Sequence, residues 1–126
     1  MTHITVSKDC GNSPKNIFLQ KMTIASAGGD VDFLFAFVTE AIRWNQLGGR
    51  LVQGKEAFVQ AFSSRYEDSQ ELIILHVMTH GKAGAVDGRV RLNNGKVNAF
   101  CDVYEFNNAR GESVKEITSY EIEVKE

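Results

Sequence analysis

V-N-A-F-C-D-V-Y-E-F (97–106), N-N-A-R-G-E-S (107–113) and V-K-E-I-T-S-Y (114–120) are consecutive in the second half of the chain. Two strand-like runs flank a polar, Gly-containing turn. Strand side chains alternate with period two, so Asp102 shares a face with Phe100, Tyr104 and Phe106. A carboxylate on an aromatic face is costly to ionise unless a partner neutralises it. Asp102 is therefore the first candidate for a working group, expected to be a neutral acid that titrates above an ordinary Asp. A structural bond to the backbone or to an Arg in the core is the plainer alternative.

The strands continue on both sides of this stretch. Residues 71–80 and 85–92 are rich in Ile, Leu and Val, and the second run ends in Asn93-Asn94-Gly95, a hairpin signal. With 97–107 and 115–124 they predict four consecutive strands in an antiparallel meander. The single proline, Pro14, lies outside all of them.

The first half reads as helices. Ser13-Pro14 has the N-cap and first-turn residues of a helix, Phe18, Met22 and Ala25 recur at helical spacing, and Gly28-Gly29 stops it. Asp30 can cap a short second helix through Phe37, apolar almost all round and expected to be buried. Residues 39–47 read as a strand with Trp44, and 48–54 as a loop. A third helix follows, with Phe58, Ala61, Phe62 and Arg65 on one face and Val59 and Tyr66 beside it. Residues 1–12 are expected to form a flexible tail, and 13–126 one domain.

Helices first and an antiparallel sheet after is an α+β arrangement. A bent sheet closed by helices leaves a conical cavity for an apolar small molecule. Phe18, Met22, Trp44, Phe58, Phe62, Phe100 and Tyr104 are its expected lining, or else plain core.

Composition narrows the classes. The chain has 126 residues, a net charge of -2 and 43% hydrophobic residues, enough for one domain with a substantial core. No basic run marks a nucleic-acid or membrane-surface partner, and no apolar run is long enough to span a bilayer. The start of the chain lacks a secretory signal pattern, and the two cysteines, Cys10 and Cys101, are unpatterned, so a reducing, cytoplasmic location without a disulfide is expected. His3, His76 and His80 have no Cys or carboxylate at zinc-like spacing, and neither metal nor cofactor is expected.

The order helix, helix, strand with Trp44, G-K-E-A-F helix, then four strands with F-C-D-V-Y-E-F and I-T-S-Y, resembles the nuclear transport factor 2-like superfamily. The resemblance covers residues 13–124. It implies a cystatin-like α+β cone and relatives that include ketosteroid isomerases, SnoaL-like polyketide cyclases, scytalone dehydratase and limonene epoxide hydrolases. The run D-V-Y-E-F is similar to the isomerase's D-V-M-R-F, which places Asp102 where that enzyme keeps a protonated Asp. The isomerase's general-base Asp falls at Asn45 and its oxyanion-hole Tyr at Met22. In the comparison with limonene epoxide hydrolase, Asn45 and Asp87 match an Asn and an Asp, while the expected Arg falls at Ala85 and the second Asp at Ser119. A homodimer through the sheet face is common in the superfamily, and Val103 and Ile117 are candidates for that contact.

The candidate site residues are thus Asp102, His76, Asp87 and Asn45. His76 could move a proton near neutral pH, or simply end a hairpin, as could His80. Asp87 precedes Gly88 within a strand, where a bulge role competes with chemistry. Asn45 could serve a turn instead. Glu121 reads most simply as a solvated outer residue, and Arg43 as solvated or paired with a neighbouring carboxylate. Two function classes follow. One is a cofactor-free isomerase, cyclase or hydrolase acting on an apolar ring compound; the other is a non-catalytic ligand-binding or dimerisation module.

Overall fold

A computed structural model describes residues 2–125. Seven strands form one sheet in the order β1-β4-β5-β6-β7-β2-β3, with three α-helices on one face. In chain order the elements are β1 (His3–Val6), a 3-10 turn (Lys8–Cys10), α1 (Pro14–Gly28), α2 (Val31–Ala36), β2 (Val38–Gln46), β3 (Leu51–Gln53), α3 (Lys55–Phe62), β4 (Ser69–His80), β5 (Ala83–Leu92), β6 (Val97–Phe106) and β7 (Val114–Val124).

The helix boundaries follow from their caps. The Ser13 hydroxyl accepts from the Asn16 N–H at 3.2 Å, Pro14 supplies a first-turn position that needs no donor, and Gly29 closes α1 at φ +71°. The Asp30 carboxylate accepts from the Phe33 N–H at 3.1 Å and starts α2. Of α2, however, only Leu34 is fully buried, and Val31 and Phe35 are about half exposed. A six-residue helix bridging α1 and α3 cannot cover all of its own sides.

The expected meander is present as β4-β5-β6-β7. Two features extend it. β7 pairs in parallel with β2, which carries β3 on its far edge. β3 lies within the stretch read as a loop. At the opposite edge β1 pairs in parallel with β4, His3 facing Glu71 and Val6 facing Ile74. Residues 1–12 are therefore no loose tail where the structure describes them: β1 covers an open sheet edge, and Cys10 is buried. Cys10 and Cys101 are both free.

α1 packs on β4 and β5, and α3 on β2 and β3. The space between helices and sheet is filled. Trp44, Phe58 and Phe62 meet edge to face or stacked at centroid distances of 4.8–6.1 Å. Phe18 packs against Phe33, Phe37 and Phe106. Met22, Phe58, Phe62 and Tyr104 are wholly buried, and Trp44 and Phe100 nearly so. The residues expected to line a hollow cone thus mostly fill it, because bulky rings from both layers interlock at the density of a protein core. Ile117, expected on the outer face, is also wholly buried.

Candidate functional site

Asp102 lies at the middle of β6, opposite Val86 on β5 and Ser119 on β7. It is wholly buried, on the face that carries Phe100, Tyr104 and Phe106. It is not alone there. Beyond the end of α3 the chain makes a further turn, which carries Arg65 over the sheet. Its Nη1 donates to Asp102 Oδ2 at 2.8 Å and its Nη2 to Oδ1 at 3.1 Å. The Ser119 hydroxyl donates to Oδ1 at 2.6 Å and accepts from Trp44 Nε1–H at 2.9 Å. Three donors converge on a group that, when ionised, only accepts. Asp102 is therefore not a lone acid shielded by rings: it is paired to an Arg in the core, the plainer of the two alternatives. Burial works against the charge of Arg65, and the Asp102 carboxylate outweighs it, so the guanidinium is held protonated more firmly than usual.

The Arg65 guanidinium also lies 4.5 Å from the Tyr66 ring centre, 5.0 Å from Phe62 and 5.2 Å from Trp44. These rings hold the flat cation in place. Nη2 then points toward Glu121 at 3.8 Å. Glu121 accepts from the Tyr66 hydroxyl at 3.1 Å and from the Asn98 amide at 2.8 Å. Burial raises the Tyr66 phenol well above its ordinary value, against the pull of Arg65 and with Asp102 and Glu121 adding, so it remains a donor.

Arg65, Ser119, Trp44, Tyr66 and Glu121 line a cleft of about 290 Å³, whose opposite wall is the 46–49 turn. Asp102 does not line it; Ser119 and Arg65 stand next to it and face the cleft in its place.

The remaining sequence candidates lie elsewhere. His76 and Asp87 do meet, Nδ1 to Oδ1 at 2.8 Å. They do so on the outer face, with about half of each side chain exposed. Strict alternation from Ile74 would have turned His76 inward. A bulge leaves Leu75 unpaired, since Gly88 faces Ile74 and Asp87 faces His76, and the parity of β4 reverses there. Met78 and His80 are exposed as a result. Asn45 is exposed on β2, between Trp44 and Gln46. The acid at Asp102 and its intended partners are therefore divided by the sheet. Arg43 pairs loosely with Glu116 at 3.7 Å on the surface.

Among the described residues, no group of three His, Cys, Asp or Glu could hold a metal ion, and no helix is long and apolar enough to cross a membrane.

Residues 19–114 match the family model of the SnoaL-like domain. The chain belongs to this family. No curated protein matches it by sequence. Among solved structures, this SnoaL-like chain is similar to an NTF2-like protein of unknown function from Cytophaga hutchinsonii, at 25% identity, TM-score 0.66, over 84% of this chain and 97% of that one. An uncharacterised protein with a cystatin-like fold from Silicibacter pomeroyi superposes with TM-score 0.72 at 15% identity, over 83% of this chain and 73% of that one. The epoxide hydrolase/cyclase-like enzyme SalBIII, described in pyran ring formation in the polyether salinomycin, superposes with TM-score 0.69 at 17% identity, over 86% and 90%. The SnoaL-like chain therefore has the cystatin-like α+β fold expected from its sequence, and these likenesses extend to fold alone.

Arg65 and Glu121 are the functional candidates that sequence reasoning passed over. Arg65 stood on the predicted apolar face of α3, one turn beyond Phe62, and an Arg in such a row signals a buried carboxylate partner. Glu121 carried no such signal, because its partners Tyr66 and Asn98 come from distant parts of the chain.

Proposed function

We propose that this SnoaL-like protein binds a small ring compound in the cleft beside Arg65, Ser119 and Glu121, and that Asp102 anchors the cleft instead of acting as an acid. The bidentate Arg65–Asp102 pair carries this reading. It fixes the position of Arg65 and, with the Ser119 hydroxyl, takes up the acceptor positions of Asp102. The acid or base that the sequence suggested for a cofactor-free isomerase, cyclase or hydrolase was Asp102, His76 or Asp87. Asp102 lies beneath the cleft wall, and the other two lie across the sheet. The geometry thus favours the ligand-binding alternative. A volume of about 290 Å³ is at the lower end for small-molecule sites and suits a single ring.

Trp44 is the sole tryptophan and lines the cleft, so its emission serves as the probe. A panel of single-ring compounds is expected to include members that change it saturably, and Trp44→Phe to abolish the signal. A panel without any saturable response would overturn the reading.

A specific observation favours a second role for the outer face. Met78, Val103, Tyr120 and Ile122 are all exposed there, Ile122 at 70%. Neighbouring large apolar groups on an open sheet face suit a second copy of the chain. Sedimentation should give a dimer for the native protein and a monomer for Ile122→Glu. A native monomer at micromolar concentration removes this role.

A further inference from the structure

Apart from the Gln46 amide on the opposite wall, the cleft has committed its side-chain donors inward. Trp44 gives its N–H to Ser119, Ser119 its O–H to Asp102, Arg65 its fork to Asp102, and Tyr66 its O–H to Glu121. The charges converging there are one cation, Arg65, and two carboxylates, Asp102 and Glu121, which leaves one negative charge in excess. Glu121 is a third exposed, with spare lone pairs beyond those that Tyr66 and Asn98 occupy. What faces an incoming molecule is thus an acceptor held at fixed orientation by two donors from separate elements. Arg65 does not offset this, because both its terminal nitrogens face carboxylates and its side chain is only 7% exposed.

We propose that Glu121 is the specificity-determining residue of the cleft, and that it selects ring compounds which donate to it, ammonium first and neutral hydroxyl second, while rejecting carboxylates and phosphates. This rests on the cleft being the binding site. An anion entering it would find no free cation and would approach Glu121 with like charge. An ammonium would balance the excess negative charge, which a single Arg65 shared between Asp102 and Glu121 does not.

The test is Trp44 emission, excited at the red edge, with benzylammonium, benzyl alcohol and benzoate at matched ionic strength. Benzylammonium is expected to bind about tenfold more tightly than benzoate, with the alcohol between them. Glu121→Gln keeps the shape and a carbonyl acceptor, and should remove most of that preference while leaving the alcohol nearly unchanged. If benzoate binds the native protein as well as the ammonium does, the proposal fails whatever the variant does. If the preference survives in Glu121→Gln, Glu121 is not its source and the proposal also fails. In both cases ring binding itself would stand. Silence from all three compounds and from the wider panel would instead remove the binding reading on which this rests, and the proposal with it.

Discussion

The two faces of the sheet each hold a carboxylate paired to a basic side chain, and both pairs close at 2.8 Å: Asp102 with Arg65 inside, Asp87 with His76 outside. Equal distances here mean unequal roles. The inner pair is almost removed from water, is bidentate, and has a third donor in Ser119. The outer pair is about half exposed and has a single contact. In the first, loss of one partner strands a charge in low dielectric; in the second, water replaces it. Surroundings decide what an ion pair is worth.

The comparison is open to direct attack. Asp102→Ala should be the most damaging change, at about 3–5 kcal/mol in urea unfolding, because Arg65 remains buried without its partner. A loss below that of an ordinary surface substitution would erase the distinction between the faces. Gly88→Ala comes next. A Cβ there would run into the Ile73 carbonyl beside the β4 bulge, and about 1–3 kcal/mol is expected by analogy with overpacking. If it were neutral, the bulge that turns His76 outward would be soft.

Tyr104→Phe probes the inner face by pH. The Tyr104 hydroxyl is buried without a hydrogen-bond partner, and the Thr23 hydroxyl beside it donates to the Leu19 carbonyl instead. Burial, with Asp102 adding to it and Arg65 opposing, raises this phenol above its usual value of 10.0. The unfolded chain then releases the proton first, so stability is complete below pH 10 and falls as pH rises above it. Tyr66 behaves likewise. Tyr104→Phe should leave stability at neutral pH unchanged or slightly higher and reduce the alkaline fall, as followed by thermal melts from pH 8 to 11. An unchanged alkaline limb would mean that this hydroxyl meets water. The smallest effect is expected from His76→Ala, within about 0.5 kcal/mol. A larger loss would mean that the outer pair is covered in the assembled protein.

The helix caps, the meander and the inward position of Asp102 were legible because each is written in local pattern: Ser13-Pro14, Asn94-Gly95, and unbroken alternation from Phe100 to Phe106. β1 and β3 were not, since four and three residues carry too little periodicity and their strand state depends on partners in β4 and β2. The site was less legible than the fold. Alternation placed Asp102 correctly but could not supply Arg65, which arrives from a turn outside any helix. The bulge at Leu75 defeated the same rule in β4. Glu121 depends on three partners separated from it in sequence by up to 56 positions, as with Arg65, and no local pattern records such meetings.

β7 is hydrogen-bonded on both sides, to β6 and to β2. β2 and β3 therefore have no sheet to join until residues 114–124 have been synthesised and have paired. During translation β2 and α3 would wait with Trp44, Phe58 and Phe62 uncovered, a window in which chaperone capture or misassociation competes with native closure.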